Sequence, residues 1–255
     1  MSELRLTLAW VADTAGGRIR SGDGGLVIGP IVTDSRVLEP GALFVALRGA
    51  RFDGHAFVDE AVAKGAAGVI VEAGVVGADL QVRPYDTEAG AAIVEVADTT
   101  KALQALAHGV RMAAGTRVVA ITGSAGKTTT KETIAAFLSA RLRVVRNKGN
   151  LNNHIGLPLS LMQLRERPDV AVMELGMNHA GEISTLVAIA EPEVRVWTNV
   201  GDAHLGFFAS PDAIADAKAE ILEGAKPDHV LVCNADDARV MARIGTFAGR
   251  VVTFG

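Results

Sequence analysis

The chain has 255 residues, of which 49% are hydrophobic and 21% charged, and it carries a formal net charge of −4. This composition is typical of a soluble globular protein, and the acidic balance argues against a nucleic-acid partner, which would select a basic surface. The single cysteine, Cys233, excludes a disulfide framework within the chain and lies in an apolar run typical of a buried strand. The first residues lack the pattern of a signal peptide and no apolar run is long enough to span a bilayer, so we expect a cytoplasmic protein without membrane insertion.

Short β-like runs separated by turns rich in glycine and aspartate occupy the first half of the chain. The runs cover residues 26–28, 43–47, 68–71 and 92–96, and residues 56–64 form a helix candidate. A longer helix is predicted over residues 98–112, because its apolar residues repeat at helical spacing and Asp98 can cap its first turn. We therefore predict a small mixed α/β N-terminal domain over residues 1–112.

Strands and helices alternate regularly in the second half. The predicted strands cover residues 117–122, 169–174, 194–198, 229–233 and 251–254, and the predicted helices cover residues 127–140, 181–190 and 211–224. This alternation predicts an α/β domain over residues 113–255, with a mostly parallel sheet flanked by helices and ligands at the carboxyl ends of its strands. Because the sequence stops directly after the last predicted strand, we expect this domain to be incomplete.

A phosphate-binding loop is the strongest local signal. The predicted strand 117–122 runs into a loop and a helix start formed by Gly123, Ser124, Ala125, Gly126, Lys127, Thr128 and Thr129. The glycines let backbone N–H groups turn towards phosphate, the lysine can neutralise the β- and γ-phosphates, and the Thr128 hydroxyl can bind Mg²⁺. The general pattern needs one more glycine where Ile121 stands, so only the shorter Gly-x-x-Gly-Lys-Thr form is present. Residues 147–150 are superficially like a guanine-specificity motif, but Asn150 replaces the expected aspartate, which disfavours GTP.

Five ordered segments resemble the Mur ligases, a family of ATP-dependent amide ligases with a short P-loop. They are residues 122–129, 150–158, 173–183, 198–205 and 217–221. Residues 174–178 look like the family member that adds D-alanyl-D-alanine. In the first half, residues 33–36, 44–49 and 53–57 look like a UDP-sugar-binding domain. The resemblance implies an enzyme of peptidoglycan precursor synthesis that joins D-alanyl-D-alanine to UDP-N-acetylmuramoyl-tripeptide through an acyl phosphate, with ATP and Mg²⁺.

The same resemblance implies roles for individual residues. Residues 123–129 are expected to bind ATP, and four residues are expected to be catalytic: Lys127, Glu174, His204 and Lys218. Mg²⁺ is expected on Thr128, Glu174, His204 and Lys218, the last as a carbamate formed with carbon dioxide, because Mg²⁺ prefers oxygen ligands. The expected substrate-binding residues are Ser35, Arg36, Asn152 and Asn153.

Two alternatives stay open. The chain could be a nucleotide-binding fragment without chemistry of its own, or a sibling Mur ligase that adds a different amino acid. Mur ligases have a third, C-terminal ligase domain, which is absent from this sequence, so we expect the chain to bind nucleotide without ligating. The full-length enzyme is expected to be a monomer.

Overall fold

Residues Glu3–Val110 and Arg111–Gly255 form two packing units, each with its own main sheet. The computed structural model describes residues 3–49, 52–74, 90–201, 206 and 208–255. The first unit has a mixed sheet and the second a parallel sheet with helices, so the predicted α/β fold class is confirmed. Among the described residues, no helix combines the length and the apolar character needed to cross a membrane.

The Glu3–Val110 unit contains a five-stranded sheet beside a two-stranded ribbon. Its strands are β1 (Leu6–Thr7), β2 (Arg18–Ser21), β3 (Val27–Ile28), β4 (Ile31–Val32), β5 (Leu43–Val45), β6 (Gly68–Glu72) and β7 (Ala92–Val96). Its helices are α1 (Leu8–Thr14), α2 (Val58–Ala63) and the greater part of α3 (Thr99–Ala114). The sheet order is β2-β7-β6-β5-β4, in which only β2 runs antiparallel to its neighbour, while β1 and β3 pair antiparallel in the ribbon.

The Arg111–Gly255 unit is built around a six-stranded sheet with every neighbouring pair parallel. Its strands are β8 (Arg117–Thr122), β9 (Val144–Arg146), β10 (Val170–Glu174), β11 (Val194–Trp197), β12 (Val230–Asn234) and β13 (Arg250–Phe254). Its helices are α4 (Lys127–Ser139), α5 (Gly156–Leu161), α6 (Glu182–Ala190), α7 (Pro211–Ala219) and α8 (Ala238–Met241). The strands β8 and β10 are apolar and almost wholly buried, as expected for parallel strands covered on both faces.

The strand order β13-β12-β11-β8-β10-β9 determines where a ligand can bind. The chain moves from β8 to β9 and β10 on one side, and then returns to β11 on the other side of β8. Register places Glu174 opposite Ile121 and Trp197 opposite Thr122, so these three strands end at the same edge. In parallel sheets the crevice at such a reversal is the usual ligand site.

The predicted helix over residues 211–224 was too long. Helix α7 ends at Ala219 and a 3₁₀ turn, Glu220–Leu222, follows it. The backbone leaves helical geometry at Glu223, where φ is −64° and ψ 150°, and Gly224 follows with φ +63°. The buried Arg195 side chain then satisfies two carbonyls of this final turn, because its Nε donates to the Ile221 carbonyl (2.7 Å) and its Nη2 to the Glu223 carbonyl (3.0 Å).

Candidate functional site

The phosphate-binding loop joins β8 to α4 and requires glycine at two positions for different reasons. Gly123 has φ +150°, and a Cβ there would lie 1.9 Å from the Thr198 hydroxyl oxygen. Gly126 has φ +78° and is the N-cap of α4, with open space where a Cβ would be. The N-terminus of α4 has no side-chain cap, which leaves its first N–H groups available for an anion.

Residues after β11 support this loop from behind. Ser124 N donates to the Asn199 carbonyl (3.0 Å), and Ala125 N donates to Asn199 Oδ1 (2.9 Å). The Thr198 hydroxyl donates to the Ala125 carbonyl (2.8 Å). These hydrogen bonds within the protein fix the shape of the loop. The sequence predicts no role for Thr198 or Asn199 beyond their place in residues 198–205, a segment that resembles the family.

Two lysine side chains meet at one carbonyl oxygen of the loop. Lys127 Nζ lies 2.8 Å and Lys218 Nζ 3.1 Å from the Gly123 carbonyl. Burial lowers the pKa of Lys127, although the charge of Glu174 opposes that shift. Lys218 is only 1% exposed, and burial together with the charge of Lys127 lowers its pKa to about 7. Near neutral pH a large fraction of Lys218 is thus an uncharged, nucleophilic amine.

The Glu174 carboxylate lies at the end of β10, 4% exposed, and is held on both oxygens. The Thr128 hydroxyl donates to its Oε2 (2.7 Å) and Asn152 Nδ2 donates to its Oε1 (2.9 Å). Two of the expected metal ligands, Thr128 and Glu174, are therefore in direct contact.

The donor set fits Mg²⁺ bound together with nucleotide. Among the described residues, no group of three or more histidine, cysteine, aspartate or glutamate side chains is arranged to hold a metal ion. Mg²⁺ usually keeps several waters and binds through one or two carboxylates plus substrate phosphates. Glu174 and Thr128, beside the P-loop, supply that partial set of oxygen ligands.

Asn153 and His204 are the other two expected site residues of this unit. Asn153 Oδ1 accepts hydrogen bonds from Gly156 N (2.8 Å) and Ile155 N (3.2 Å), so its side chain is used locally at the start of α5. His204 lies outside the described residues. Their roles in substrate and metal binding stay predictions.

A second candidate site is a groove of about 610 Å³ in the Glu3–Val110 unit, lined in part by Asp34, Ser35, Arg36, Phe52 and Phe57. Asp34 caps the 3₁₀ turn Ser35–Val37, and the Arg36 guanidinium binds its carboxylate through Nε (2.9 Å) and Nη2 (2.7 Å). These hydrogen bonds lower the pKa of Asp34 to about 2. Phe52 is 75% exposed, and the sequence analysis gave it no role.

Comparison with known proteins agrees with this geometry. A curated Bacillus subtilis protein named UDP-N-acetylmuramoyl-tripeptide--D-alanyl-D-alanine ligase is 44% identical over 211 residues, which is 83% of this chain and 44% of that protein. A crystal structure of MurF from Acinetobacter baumannii matches with a TM-score of 0.87 at 37% identity, over 100% of this chain and 54% of that one. MurF ligase from Thermotoga maritima, solved in complex with ADP, matches with a TM-score of 0.77 at 34% identity, over 89% of this chain and 50% of that one.

This chain spans about half the length of the curated relatives it matches. Residues 28–111 match the family described as Mur ligase family, catalytic domain, and residues 121–255 match the Mur ligase middle domain. The middle-domain match alone covers more than half of the chain. The chain therefore belongs to the Mur ligase family.

Proposed function

We propose that this chain belongs to an ATP-dependent ligase that joins D-alanyl-D-alanine to UDP-N-acetylmuramoyl-tripeptide. The observation that carries the proposal is the convergence of Lys127, Thr128, Glu174 and Lys218 where β8 and β10 end. A P-loop alone indicates phosphate binding. A P-loop backed by a buried carboxylate and a second, buried lysine with a lowered pKa has the groups needed to activate an acid with ATP.

In the proposed reaction, residues 123–129 bind the phosphates of ATP through backbone N–H groups and the Lys127 ammonium. Mg²⁺, when bound, neutralises charge on the β- and γ-phosphates, and Glu174 and Thr128 would hold it. A carboxylate oxygen of the tripeptide attacks the γ-phosphorus while the bond to the bridging oxygen breaks, giving an acyl phosphate and ADP. The amine of D-alanyl-D-alanine then attacks the acyl carbon, and phosphate and a proton leave. Positioning and charge neutralisation are the main demands of such chemistry.

Lys218 is proposed to act as a carbamate. Its neutral Nζ would attack carbon dioxide, form an N–C bond and lose a proton, which converts an amine into a carboxylate-like oxygen ligand for Mg²⁺. Two features support this step. The side chain is buried, and its pKa near 7 provides the neutral amine that the reaction consumes. His204 is proposed as a further group at the metal.

We assign the UDP part of the substrate to residues 1–112 and ATP to residues 113–255. The groove at Ser35 and Arg36 is large enough for part of a nucleotide, and pockets of several hundred Å³ are usual for such ligands. Arg36 offers a planar set of donors for a diphosphate, and Phe52 offers an exposed aromatic face. Asn152 and Asn153 are proposed to face the peptide end of the substrate. Since ATP and nucleotide-linked precursors are cytoplasmic, we place the reaction in the cytoplasm.

The proposal is tested in two stages. Calorimetry should show MgATP binding to the chain, and Lys127→Ala should weaken it by about 10–100-fold, the worth of a hydrogen bond between charged groups. Lys226→Ala is the matched control, because it removes the charge of a largely exposed lysine in the same unit. If both variants bind MgATP like the wild type, the P-loop has been assigned wrongly.

The second stage concerns the product. The chain is mixed with ATP, Mg²⁺, UDP-N-acetylmuramoyl-tripeptide and D-alanyl-D-alanine, and the new amide is sought by mass spectrometry, with a full-length relative as the positive control. A panel of single amino acids replaces D-alanyl-D-alanine in parallel reactions. A product with one of these instead would favour the sibling ligase. MgATP binding with no product, where the relative forms product, would favour a nucleotide-binding fragment.

A further inference from the structure

Asn147 is a fully buried side chain next to the candidate site, and the proposed reaction gives it no role. It follows β9 directly and begins the segment that the sequence analysis considered only as a guanine motif. An uncharged amide buried beside a strand end needs hydrogen-bond partners for both its oxygen and its nitrogen. Its partners lead directly to Glu174.

The Asn147 side chain forms an additional rung of the parallel sheet. Pairing between β9 and β10 ends with Arg146 opposite Val172. At Glu174, the next residue of β10 facing that side, Glu174 N donates to Asn147 Oδ1 (3.0 Å), and Asn147 Nδ2 donates to the Glu174 carbonyl (3.0 Å). One side-chain amide thus replaces the backbone amide and carbonyl that a longer β9 would have provided. It fixes the main chain from which the Glu174 carboxylate projects.

The same amide also controls the loop that contacts the carboxylate itself. Asn147 Nδ2 donates to the Leu151 carbonyl (2.9 Å), which closes the turn formed by residues 148–151. Asn152 follows at once and donates from Nδ2 to Glu174 Oε1 (2.9 Å), while its own carbonyl accepts Gly176 N (2.9 Å). Asn147 therefore influences Glu174 through the main chain and through the neighbour that holds its side chain.

A buried lysine holds Asn147 in turn. Lys131 on α4 is almost fully buried, and its Nζ donates to the Asn147 carbonyl (2.8 Å). Since α4 also carries Thr128, the P-loop helix is connected to both ends of the Thr128–Glu174 contact. The connection runs through hydrogen bonds between buried groups, which are stronger and less mobile than those exposed to water.

We propose that Asn147 is a positioning residue that sets the Glu174 carboxylate for the metal–nucleotide complex, an inference that rests on the proposed function. Aspartate cannot do the same, because its second oxygen would face the Glu174 and Leu151 carbonyls without a proton to share. Mg²⁺ tolerates little departure from octahedral geometry, whereas loop N–H groups still bind phosphate after a small shift of Glu174. Loss of Asn147 should thus reduce the affinity that Mg²⁺ adds to ATP binding. It should leave the affinity for ATP without Mg²⁺ unchanged.

The experiment measures the affinity of the 255-residue chain for ATP with and without Mg²⁺. Asn147→Ala should reduce the Mg²⁺-dependent gain in affinity by about 10–100-fold, the usual effect of removing a partner of a metal ligand. ATP affinity without Mg²⁺ should remain near the wild-type value. Thr116→Val is the matched control: it deletes a buried hydrogen bond to the Pro168 carbonyl (2.8 Å) before the start of β8 and should keep the full Mg²⁺ gain.

The outcomes separate the two proposals. If the wild type gains no ATP affinity from Mg²⁺, the metal site of the proposed function fails. If the wild type gains and folded Asn147→Ala gains equally, the positioning role is overturned. Should Asn147→Ala fail to fold, Lys131→Met decides, because it keeps the length of the side chain and removes the hydrogen bond to Asn147 together with an ion pair to the half-exposed Glu132 (3.3 Å). A reduced Mg²⁺ gain in that variant supports the proposal, and an unchanged gain overturns it.

Discussion

The two units use buried polar side chains in opposite ways. In the Arg111–Gly255 unit, Asn147, Glu174 and Lys218 are buried around the P-loop. Lys218 contacts the Gly123 carbonyl, Glu174 contacts Thr128, and Asn147 contacts the main chain of Glu174. In the Glu3–Val110 unit, the buried Glu95 accepts hydrogen bonds from Arg18 Nη2 (2.7 Å) and Arg20 Nη1 (2.5 Å) on the neighbouring strand β2. That cluster joins two strands, and its three side chains are not among those that line the groove at Ser35 and Arg36.

Two candidate binding residues of the first unit, Arg36 and Phe52, are exposed instead, although Ser35 beside them is buried. Arg36 is paired with Asp34. The difference indicates that contacts within the protein fix the charged groups of the second unit, which is the arrangement that preorganised electrostatic stabilisation needs. The first unit offers groups that must exchange a protein or water partner for a ligand, as is usual in recognition.

Gly123→Ala should produce the largest effect on ATP binding, because it changes the backbone of the phosphate-binding loop. The new Cβ would overlap the Thr198 hydroxyl, and overpacking of this kind costs about 1–3 kcal/mol or forces the backbone to move. We expect measurable ATP binding to be lost in calorimetry and the melting temperature to fall. Gly115→Ala is the control: it has φ +66° with nothing near its Cβ, so only the backbone strain of about 1–2 kcal/mol remains. Normal ATP affinity in Gly123→Ala would show that the loop is adaptable.

The same contrast explains what the sequence could predict. The P-loop was predictable because its function requires glycine, lysine and threonine at adjacent positions directly after a strand, and β8 and α4 lie as predicted to within one residue. Glu174 was predictable because it ends an apolar strand. In both cases the residues that the chemistry needs lie next to the strand that positions them. A short stretch of sequence is therefore enough to predict them.

Other features depended on contacts distant in sequence. Asn147 and Glu174 are 27 positions apart, and no local pattern connects them. The turn after α7 is held by Arg195, 26 positions before Ile221. Strands of two residues, such as β1 and β4, are too short to show periodicity. Phe52 could not be predicted as a binding residue, because a single exposed aromatic side chain forms no repeating pattern in the sequence.

Arg36→Ala tests the exposed candidate site of the Glu3–Val110 unit. We expect affinity for UDP-N-acetylmuramoyl-tripeptide to fall by about tenfold, at the low end for a charged hydrogen bond, because Arg36 must first leave Asp34. ATP affinity and melting temperature should not change, since an exposed ion pair adds little stability. Asp34→Asn keeps the cap and removes the competing carboxylate, so it should strengthen binding. If Arg36→Ala lowers the affinities for ATP and for UDP-N-acetylmuramoyl-tripeptide equally, the UDP site lies elsewhere.

Lys218→Met tests the pH dependence of stability rather than ligand binding. The pKa of Lys218 is about 7 in the folded chain, against an ordinary value of 10.5. Below pH 7 the folded and unfolded chains both hold the proton, and the folded chain bears the full cost of a buried cation. Between pH 7 and 10.5 the unfolded chain holds more protons, so stability should rise with pH, by at most about 1.4 kcal/mol per pH unit. Methionine has no charge to bury, so this part of the slope should vanish and the variant should be the more stable one at pH 7.

Urea unfolding across pH 6 to about 9 in buffer free of carbon dioxide measures this slope, because the carbamate would otherwise remove the same charge. The quantity that matters is the difference between wild type and Lys218→Met, since the pKa of Lys127 is also lowered by burial and contributes to both curves. Lys226→Met, at an exposed position, should keep the wild-type slope. Adding bicarbonate should stabilise the wild type and leave Lys218→Met unchanged, because only the wild type can exchange the buried ammonium for a carbamate. Parallel curves for wild type and Lys218→Met in both buffers would mean that Lys218 keeps its proton in the folded chain, and the chemistry proposed for it would then have no neutral amine to begin from.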